Sequence, residues 1–318
     1  MRSILSLSGK EMDAMDGADH RYAIILAGGE GTRFVPYSTP DRPKQFLHIT
    51  DDKRTMIQHT FDRINRLIPA DKIFVSTNDR YTNIVQEQLP KIPKQNIIGE
   101  PKKKNTAPAI ALLCRLIDKI DANAVTLFVP ADHYIDDEDG AVKIFEKALH
   151  FASRSDKLIT FGIPPTYPSP DYGYIRRGGP LGSGEYTVEA FVEKPDVETA
   201  QNYIADGDYY WNSGMFIWRA TSLLSAIDAH MHGMFNLLKN VGVDDDGSIS
   251  RESIEKYFDD VESISIDYGV MEKANNVVVF PFDAPWSDVG TWKGLADLAA
   301  RFRIKLPGIV LEHLKNNS

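Results

Sequence analysis

Short apolar runs alternate with segments of helical periodicity in the first half of the chain. The runs are rich in β-branched residues and lie at 23–26, 73–76, 125–129 and 158–163. Apolar runs of about four to eight residues, separated by helical segments, are typical of strands that are buried on both faces of a parallel sheet. The pattern therefore predicts an α/β fold with a mixed, mainly parallel central sheet flanked by helices.

A helix is predicted to begin near Thr106. Apolar residues recur at helical spacing between positions 110 and 120, directly after the polar pair Asn105-Thr106, and Thr106 is a candidate N-cap. After residue 186 the pattern changes to β-rich segments with longer loops between them, at 186–192, 215–218 and 277–282. This second half is predicted to be mixed and to cover the first.

Composition and charge limit the classes of partner. The chain has 318 residues, 42% of them hydrophobic, and this is enough for a substantial core. The net charge of −9 disfavours nucleic acid and anionic membrane surfaces as partners. Cys114 is the only cysteine, which excludes an intrachain disulfide and agrees with a reducing cytosol, so a cytoplasmic protein is predicted. No apolar segment is long enough for a membrane span or a signal peptide.

A glycine-rich turn directly follows the first predicted strand. The segment at 26–44 reads LAGGEGTRFVPYSTPDRPK. Glycines let backbone N–H groups approach an anion, and Arg33 and Lys44 can neutralise phosphate oxygens. The spacing matches neither a Walker loop nor a dinucleotide-binding loop, and a lone GGEG also fits a tight turn with surface charges. The nucleotide-binding candidates in this segment are Leu26, Ala27, Gly28, Gly29, Gly31, Thr32, Arg33 and Lys44.

Six further segments complete a recognisable series, in order: NTAPAI at 105–110, VPADH at 129–133, FVEKP at 191–195, WNSGMF at 211–216, SIDYGVMEK at 265–273 and WSDVGTW at 286–292. Together with the glycine-rich segment they resemble the sugar-nucleotide pyrophosphorylases, and PKQFL at 43–47 looks like the mannose-1-phosphate guanylyltransferase branch. The resemblance covers roughly residues 21–295 and implies a Rossmann-like nucleotide-diphospho-sugar transferase fold.

The predicted organisation is a mobile leader at 1–20, a nucleotidyltransferase domain at 21–300 and a short tail at 301–318. The segment at 302–314 could support a homodimer.

Two aspartates are candidate metal ligands. Asp132 directly follows a predicted parallel strand, whose carboxyl end opens into a ligand crevice in folds of this class. Mg²⁺ prefers oxygen ligands and takes only one or two carboxylates from a protein. Taken alone, Asp132 is better explained as a helix N-cap or a turn residue. The resemblance implies that Asp132 and Asp288 hold Mg²⁺.

The sugar-phosphate candidates come from four segments of the chain. Glu193 and Lys194 end an alternating segment, so their side chains are expected to point to opposite faces. The resemblance implies that Glu193 binds sugar hydroxyls and Lys194 the sugar phosphate, although an ordinary ion pair would also explain them. The full set is Gly173, Glu193, Lys194, Asn212 and Asp288.

Glu100 precedes a basic run and is a candidate reader of the guanine N1 and N2 donors, while Asn105 and Thr106 could meet the base or ribose.

The predicted reaction joins GTP and mannose-1-phosphate to give GDP-mannose and diphosphate. The sugar phosphate attacks the α-phosphorus in line, and the predicted catalytic residues are Arg33, Lys44, Asp132 and Asp288 with Mg²⁺. A different sugar-1-phosphate or nucleotide is one alternative. A regulatory subunit that binds sugar nucleotides without catalysis is another.

Overall fold

In the computed structural model, the described residues are 19–30, 34–35, 37–50, 53–244, 247–308 and 310–312, without the side chains of 293 and 302. The candidates Gly31, Thr32 and Arg33 lie outside the described residues, as does most of the predicted leader.

The strands are β1 Arg21–Ala27, β2 Ile73–Asn78, β3 Ile97–Glu100, β4 Val125–Pro130, β5 Tyr134–Ile135, β6 Leu158–Ile163, β7 Tyr174–Pro180, β8 Tyr186–Val192, β9 Tyr209–Arg219, β10 Val277–Pro281 and β11 Trp286–Ser287. The α-helices of the described part are α1 Met56–Ile64, α2 Thr82–Gln88, α3 Thr106–Ile120, α4 Glu138–Ala152, α5 Val197–Asp206, α6 Ala220–His230, α7 His232–Lys239, α8 Arg251–Asp260 and α9 Trp292–Phe302. A π-helix spans Asp267–Met271.

One nine-stranded sheet organises the fold, in the order β3-β2-β1-β4-β9-β6-β10-β8-β7. Strands β1, β2, β3 and β4 pair in parallel, and so do β6 and β10. The pairings of β9 with its neighbours and of β8 with its neighbours are antiparallel, so these two strands run against the rest. The mixed, mainly parallel sheet predicted from the apolar runs is confirmed.

Helices cover both faces of the sheet. Helices α1, α2 and α4 pack on one face around a core that includes Ile25, Val129 and Phe161. Helices α3, α6, α7 and α8 pack on the other, around residues such as Trp218 and Phe258. Because both faces are covered, the central strands carry mostly apolar residues on both faces, as parallel strands in this setting do.

Helix α3 begins at Thr106, as the apolar spacing predicts. Its N-cap is Asn105, whose side chain accepts a hydrogen bond from the Thr106 N–H. The predicted cap is therefore shifted by one residue: Thr106 is the first helical residue, and its hydroxyl accepts instead from the Ile266 N–H at 3.0 Å.

A third apolar cluster ties the end of the described chain to the loops near β1. It includes Phe34 and Val289 together with Leu295, Leu306 and Val310. The domain boundary predicted at residue 300 falls inside α9. In the described part of the chain, none of the helices combines the length and apolarity that crossing a membrane requires.

Candidate active site

A buried glutamine holds the turn after β1 in place through two hydrogen bonds. The Gln45 amide donates to the carbonyl oxygens of Ala27 at 2.9 Å and Gly29 at 2.7 Å. The Thr77 hydroxyl also donates to the Ala27 carbonyl at 3.0 Å. These hydrogen bonds fix the turn at the carboxyl end of β1, where a parallel sheet opens into a crevice. Gln45 was not selected from the sequence, although it lies within the quoted PKQFL motif.

Lys44 joins the two aspartate segments. Its ammonium lies 2.7 Å from Asp132 Oδ2 and donates to the backbone carbonyls of Asp288 at 2.7 Å and Val289 at 3.0 Å. The Lys44 side chain is only 5% exposed. Burial is the largest single influence and raises the pKa of the Asp132 carboxyl, but the Lys44 charge and several smaller effects, among them hydrogen bonds, together outweigh it and hold that pKa below its ordinary value. The site therefore contains an ionised carboxylate at neutral pH.

The Asp288 loop reaches Asp132 through a short two-stranded ribbon. Strand β11 pairs antiparallel with β5, so that Ser287 lies opposite Tyr134. Asp288 Oδ1 then accepts hydrogen bonds from the Tyr172 hydroxyl at 2.9 Å and the Gly290 N–H at 3.2 Å. These contacts fix the orientation of the carboxylate.

Val289 has a φ of 46°, which is strained for a β-branched residue. The Val289 N–H donates to the Ser287 hydroxyl, and its side chain is fully buried in the third cluster. The surrounding contacts therefore hold the loop in a conformation that it would not adopt alone.

His133, which follows Asp132 in the chain, is a neutral residue. Burial lowers the pKa of His133 to about 4. Its Nδ1 accepts from the Trp286 indole N–H at 3.1 Å, so the proton of the neutral ring is on Nε2. His133 is consequently a hydrogen-bonding group rather than a phosphate-binding cation.

The carboxylates Asp132 and Asp288 fit a hard divalent cation. Lys44 contacts the Asp132 carboxylate and the backbone carbonyl of Asp288, while Tyr172 and Gly290 orient the Asp288 carboxylate. Mg²⁺ takes few protein ligands because it keeps its waters. Among the described residues no group of three or more His, Cys, Asp or Glu side chains is suited to a metal. Two carboxylates are fewer ligands than Mg²⁺ requires, so water and substrate oxygens would supply the others.

Glu100 ends β3 beside the glycine turn. It is 9% exposed, and Oε1 accepts from the Ser76 hydroxyl at 2.8 Å. A Cβ placed on Gly28 would lie 3.3 Å from Oε1, so the turn approaches the carboxyl closely. Burial raises the pKa of Glu100 to about 7. A buried carboxyl at the mouth of a crevice is costly for folding, which is typical of a functional group.

Asn105 caps the N-terminus of α3, five residues after Glu100. It is exposed and has a φ of 66°, a region that a residue other than glycine rarely adopts. The Thr106 hydroxyl next to it is anchored to Ile266. Asn105 is therefore accessible to a ligand, whereas Thr106 joins α3 to the 265–273 segment.

Gly173, Glu193 and Asn212 are brought together. The Asn212 N–H donates to the Gly173 carbonyl at 2.8 Å, and a Cβ on Gly173 would lie 2.4 Å from Glu193 Oε2. Asp288 is connected to this group through Tyr172, the residue before Gly173. The sequence motifs 172–173, 191–195 and 211–216 therefore form one cluster.

The prediction that Glu193 and Lys194 face opposite ways is wrong. Strand β8 ends at Val192, and Lys194 has a φ of 49°, so strand alternation no longer applies. The Lys194 ammonium lies 2.6 Å from Glu193 Oε1 and is 58% exposed on its side chain. Only the lysine half of this pair is exposed, since the Glu193 side chain is 9% exposed. The Lys194 ammonium is therefore accessible to a phosphate, while Glu193 is held in the protein.

Asp267 was missed in the sequence, although it lies within the quoted SIDYGVMEK motif. Its Oδ1 accepts from the Asn212 amide at 2.8 Å. Burial raises the pKa of Asp267 to about 6, and the nearby Glu193 carboxylate adds to the effect. Only the folded chain places this acid beside Asn212, because 55 residues separate them.

Gly173→Ala is expected to raise the KM for the sugar phosphate roughly 10- to 100-fold, because a methyl group would displace the Glu193 carboxylate by about an ångström. Steady-state kinetics with each substrate varied in turn provide the measurement. Gly179→Ala is the matched control, since a Cβ there meets no atom within 4 Å. Equal kinetics for the two variants would contradict a role for Gly173 in sugar binding.

Comparison with known proteins identifies the family of this chain. A model of the family described as nucleotidyl transferase matches residues 22–303. The mannose-1-phosphate guanylyltransferase RfbM of Salmonella typhimurium is 41% identical over 93% of this chain and 62% of its own length. The mannose-1-phosphate guanylyltransferase of Escherichia coli K12 is 41% identical over 88% of this chain and 60% of its own length. The chain thus spans about three fifths of these relatives.

Solved structures agree on the fold. A Thermus thermophilus structure described as mannose-1-phosphate geranyltransferase is 32% identical, with a TM-score of 0.77 over 86% of this chain and 77% of that one. A UDP-glucose pyrophosphorylase in complex with UDP-glucose superposes with a TM-score of 0.55 at 17% identity, over 89% of this chain and 98% of that one, which shows the fold alone.

Proposed function

We propose that this chain, which belongs to the nucleotidyl transferase family, transfers GMP from GTP to α-D-mannose 1-phosphate and releases diphosphate. The observation that carries the proposal is the buried Lys44 ammonium. It joins the Asp132 carboxylate to the Asp288 loop, and this loop contacts the cluster of Gly173, Glu193 and Asn212 through Tyr172. Guanine and mannose are chosen because the relatives with 41% identity are named for that pair.

The chemistry needs positioning more than a general base. A sugar-1-phosphate is already an anion at neutral pH, so its oxygen can attack the α-phosphorus without losing a proton. Holding two anionic substrates in line can lower the barrier by about 7–11 kcal/mol. The fixed Asp288 carboxylate, the Gly173 backbone and the Glu193 side chain are the groups of this chain that would orient the sugar phosphate.

Nucleotidyl transferases of this family generally use a divalent metal ion, and we propose Mg²⁺ bound by Asp132 and Asp288. When bound, it would neutralise charge on the phosphate oxygens. Lys44 keeps the two aspartate segments together, and Lys194 is an exposed cation for the sugar phosphate. We assign Arg33, Gly31 and Thr32 to the triphosphate from their place in the glycine-rich segment alone.

Diphosphate release tests the proposal. The purified chain is mixed with Mg²⁺, each common nucleoside triphosphate and a panel of sugar-1-phosphates. Release confined to GTP with mannose-1-phosphate would support the full assignment. Release with another preferred pair would leave the proposed mechanism unchanged and would change the base and sugar assignments. Binding without release would favour a regulatory subunit.

A cytoplasmic location and a homodimer are also proposed, from the single buried cysteine and the 302–314 segment. Light scattering on the purified chain measures the oligomeric state, and fractionation of the source cells measures the location.

A further inference from the structure

The Asn212 amide has a single orientation in this fold. Its Oδ1 accepts hydrogen bonds from the Gly214 N–H at 3.2 Å and the Thr160 hydroxyl at 3.2 Å. Its Nδ2 donates to Asp267 Oδ1 at 2.8 Å. If the amide were turned over, its oxygen would face the Asp267 carboxylate and its NH₂ group would face the Gly214 N–H. Both contacts would be repulsive, so the orientation is set by the chain itself.

This orientation leaves one hydrogen-bonding function for a ligand. An amide oxygen accepts two hydrogen bonds and an NH₂ group donates two. The Asn212 oxygen is contacted by the Gly214 N–H and by the Thr160 hydroxyl, which is shared with the Met215 carbonyl, and one of the two Asn212 N–H groups is taken by Asp267. Asn212 can therefore offer a ligand a donor and no acceptor.

Glu193 offers the opposite function on the same side of Gly173 as Asn212, since a Cβ on Gly173 would contact both side chains. An ionised carboxylate only accepts hydrogen bonds, and Glu193 Oε2 lies close to the Gly173 Cα. A sugar hydroxyl both accepts and donates. Adjacent hydroxyl groups of one sugar ring could therefore receive the Asn212 N–H and donate to Glu193.

One segment positions both side chains. Asp267 is the first residue of the π-helix, and π-helical turns occur frequently at functional sites. Glu272, directly after this helix, accepts from the Glu193 N–H at 2.9 Å through Oε1. The same segment is anchored to α3 through Thr106 and Ile266. Its geometry thus depends on residues at both ends of the crevice.

We infer that Asp267 is a positioning residue for the sugar: it fixes the Asn212 amide as a hydrogen-bond donor, so that Asn212 and Glu193 together read the hydroxyl pattern of the ring. The inference rests on the proposed function, because it assigns a hydroxyl-bearing substrate to this cluster. Burial and the Glu193 charge raise the pKa of Asp267 to about 6, so the fold accepts a cost to keep a carboxyl at this place.

Asp267→Ala is expected to raise the KM for mannose-1-phosphate roughly 10- to 100-fold, because one hydrogen bond to a charged acceptor orients Asn212. The KM for GTP should stay within about twofold. Preference among hexose-1-phosphates that differ at one hydroxyl should also fall. A merely structural role would change the KM of both substrates and would leave this preference unchanged.

Asp267→Asn is the conservative variant. Its Oδ1 can still accept from Asn212, so it should recover most of the sugar affinity. Glu262→Ala, at an exposed acid earlier in the same part of the chain, is the matched control and should behave as the original protein. A thermal melt shows whether each variant is folded. If Asp267→Ala unfolds, Asp267→Ser takes its place, because the shorter serine side chain does not bring an acceptor to Asn212 Nδ2. Lost sugar preference with unchanged GTP kinetics in that variant supports the inference, and unchanged sugar kinetics overturn it.

A spectroscopic measurement is independent of turnover. The Asn212 side-chain amide signals are assigned in a ¹⁵N-labelled protein by their loss in Asn212→Asp. The inference expects one slowly exchanging N–H in the original protein and fast exchange of both in Asp267→Ala. Equal exchange in both proteins would overturn it. Failure of every substrate pair in the diphosphate assay would instead remove the proposed function and leave the orientation of Asn212 decided by the spectrum.

Discussion

Asp288→Asn is expected to lower turnover by about a thousandfold, a loss of about 4 kcal/mol in transition-state stabilisation. The change should leave the fold intact. Lys44 contacts the backbone carbonyl of Asp288, which the substitution retains. An asparagine Oδ1 can also accept from the Tyr172 hydroxyl and the Gly290 N–H, as Asp288 Oδ1 does. Only the negative charge is removed.

The measurement is turnover as a function of Mg²⁺ concentration, together with a thermal melt. Half-maximal activity should require at least tenfold more Mg²⁺ in Asp288→Asn, because a neutral amide is a poorer ligand for a hard cation. Asp283→Asn, at an exposed aspartate before β11, is the control and should be unaffected. An unchanged Mg²⁺ titration would return Asp288 to a structural role in the loop.

Asp132 is a less informative position for the same test. Its carboxylate is paired with a lysine that is almost fully buried. Neutralising Asp132 would leave that ammonium with backbone carbonyls as partners, and removing one partner of a buried pair is destabilising. A loss of activity there would mix stability with chemistry, whereas Asp288→Asn separates them.

Local patterns were sufficient for the central strands and for α3. The apolar runs at 23–26, 73–76, 125–129 and 158–163 correspond to β1, β2, β4 and β6. Covered parallel strands are apolar on both faces, and the sequence shows this without any knowledge of neighbours. Asp132 could be placed for the same reason, because it follows a recognisable strand.

Strand β9 could be predicted only in part. The apolar run at 215–218 belongs to it, but the strand begins at Tyr209 and includes Asn212, Ser213 and Gly214. These residues are typical of a turn. They are held in the sheet by pairing with β6 and β7, and Gly214 has a φ of 68°. Long-range pairing overrides local preference there.

The partners of site residues were the least predictable feature. Gln45 supports the glycine turn, and Asp267 orients Asn212, yet each contact joins distant parts of the chain. Both residues lie within motifs that were recognised. The resemblance identified the segments, whereas the folded structure was required to show which side chain in each segment meets which partner.

Glu100→Gln is expected to reduce the preference for GTP over ATP by roughly a thousandfold or more. A carboxylate can accept from guanine N1–H and N2–H₂ at once, whereas an amide presents one acceptor and one donor. The buried N–H₂ group of the substituted amide would then face a guanine N–H group, and neither could accept a hydrogen bond from the other. The substitution should weaken the use of ITP, which keeps N1–H and lacks the 2-amino group, less than it weakens the use of GTP. Glu87→Gln, at an exposed site on α2, is the matched control. An unchanged GTP to ATP ratio would remove Glu100 from base recognition.

The pH dependence of GTP binding follows from the same carboxyl. Burial raises the pKa of Glu100 to about 7 in the free protein, and guanine donors bind the ionised form. Affinity for GTP should therefore rise with pH and level off above pH 7, with about a tenfold loss at pH 6. In Glu100→Gln this part of the dependence should disappear. Calorimetry at several pH values, with the phosphate titration of GTP subtracted, gives the measurement.

Stability should change in the opposite direction. Because the folded pKa of Glu100 lies above the ordinary value of 4.5, folding takes up a proton between pH 4.5 and 7. Below pH 4.5 the Glu100 carboxyl is protonated in both states and does not lower the free energy of unfolding. Between pH 4.5 and 7 it lowers the free energy of unfolding progressively, by about 3 kcal/mol in total. Glu100→Gln should unfold at higher denaturant than the original protein at pH 8, and the difference should vanish at pH 4. Greater stability with lost selectivity is expected of a residue retained for binding, whereas a residue retained for folding would lose both.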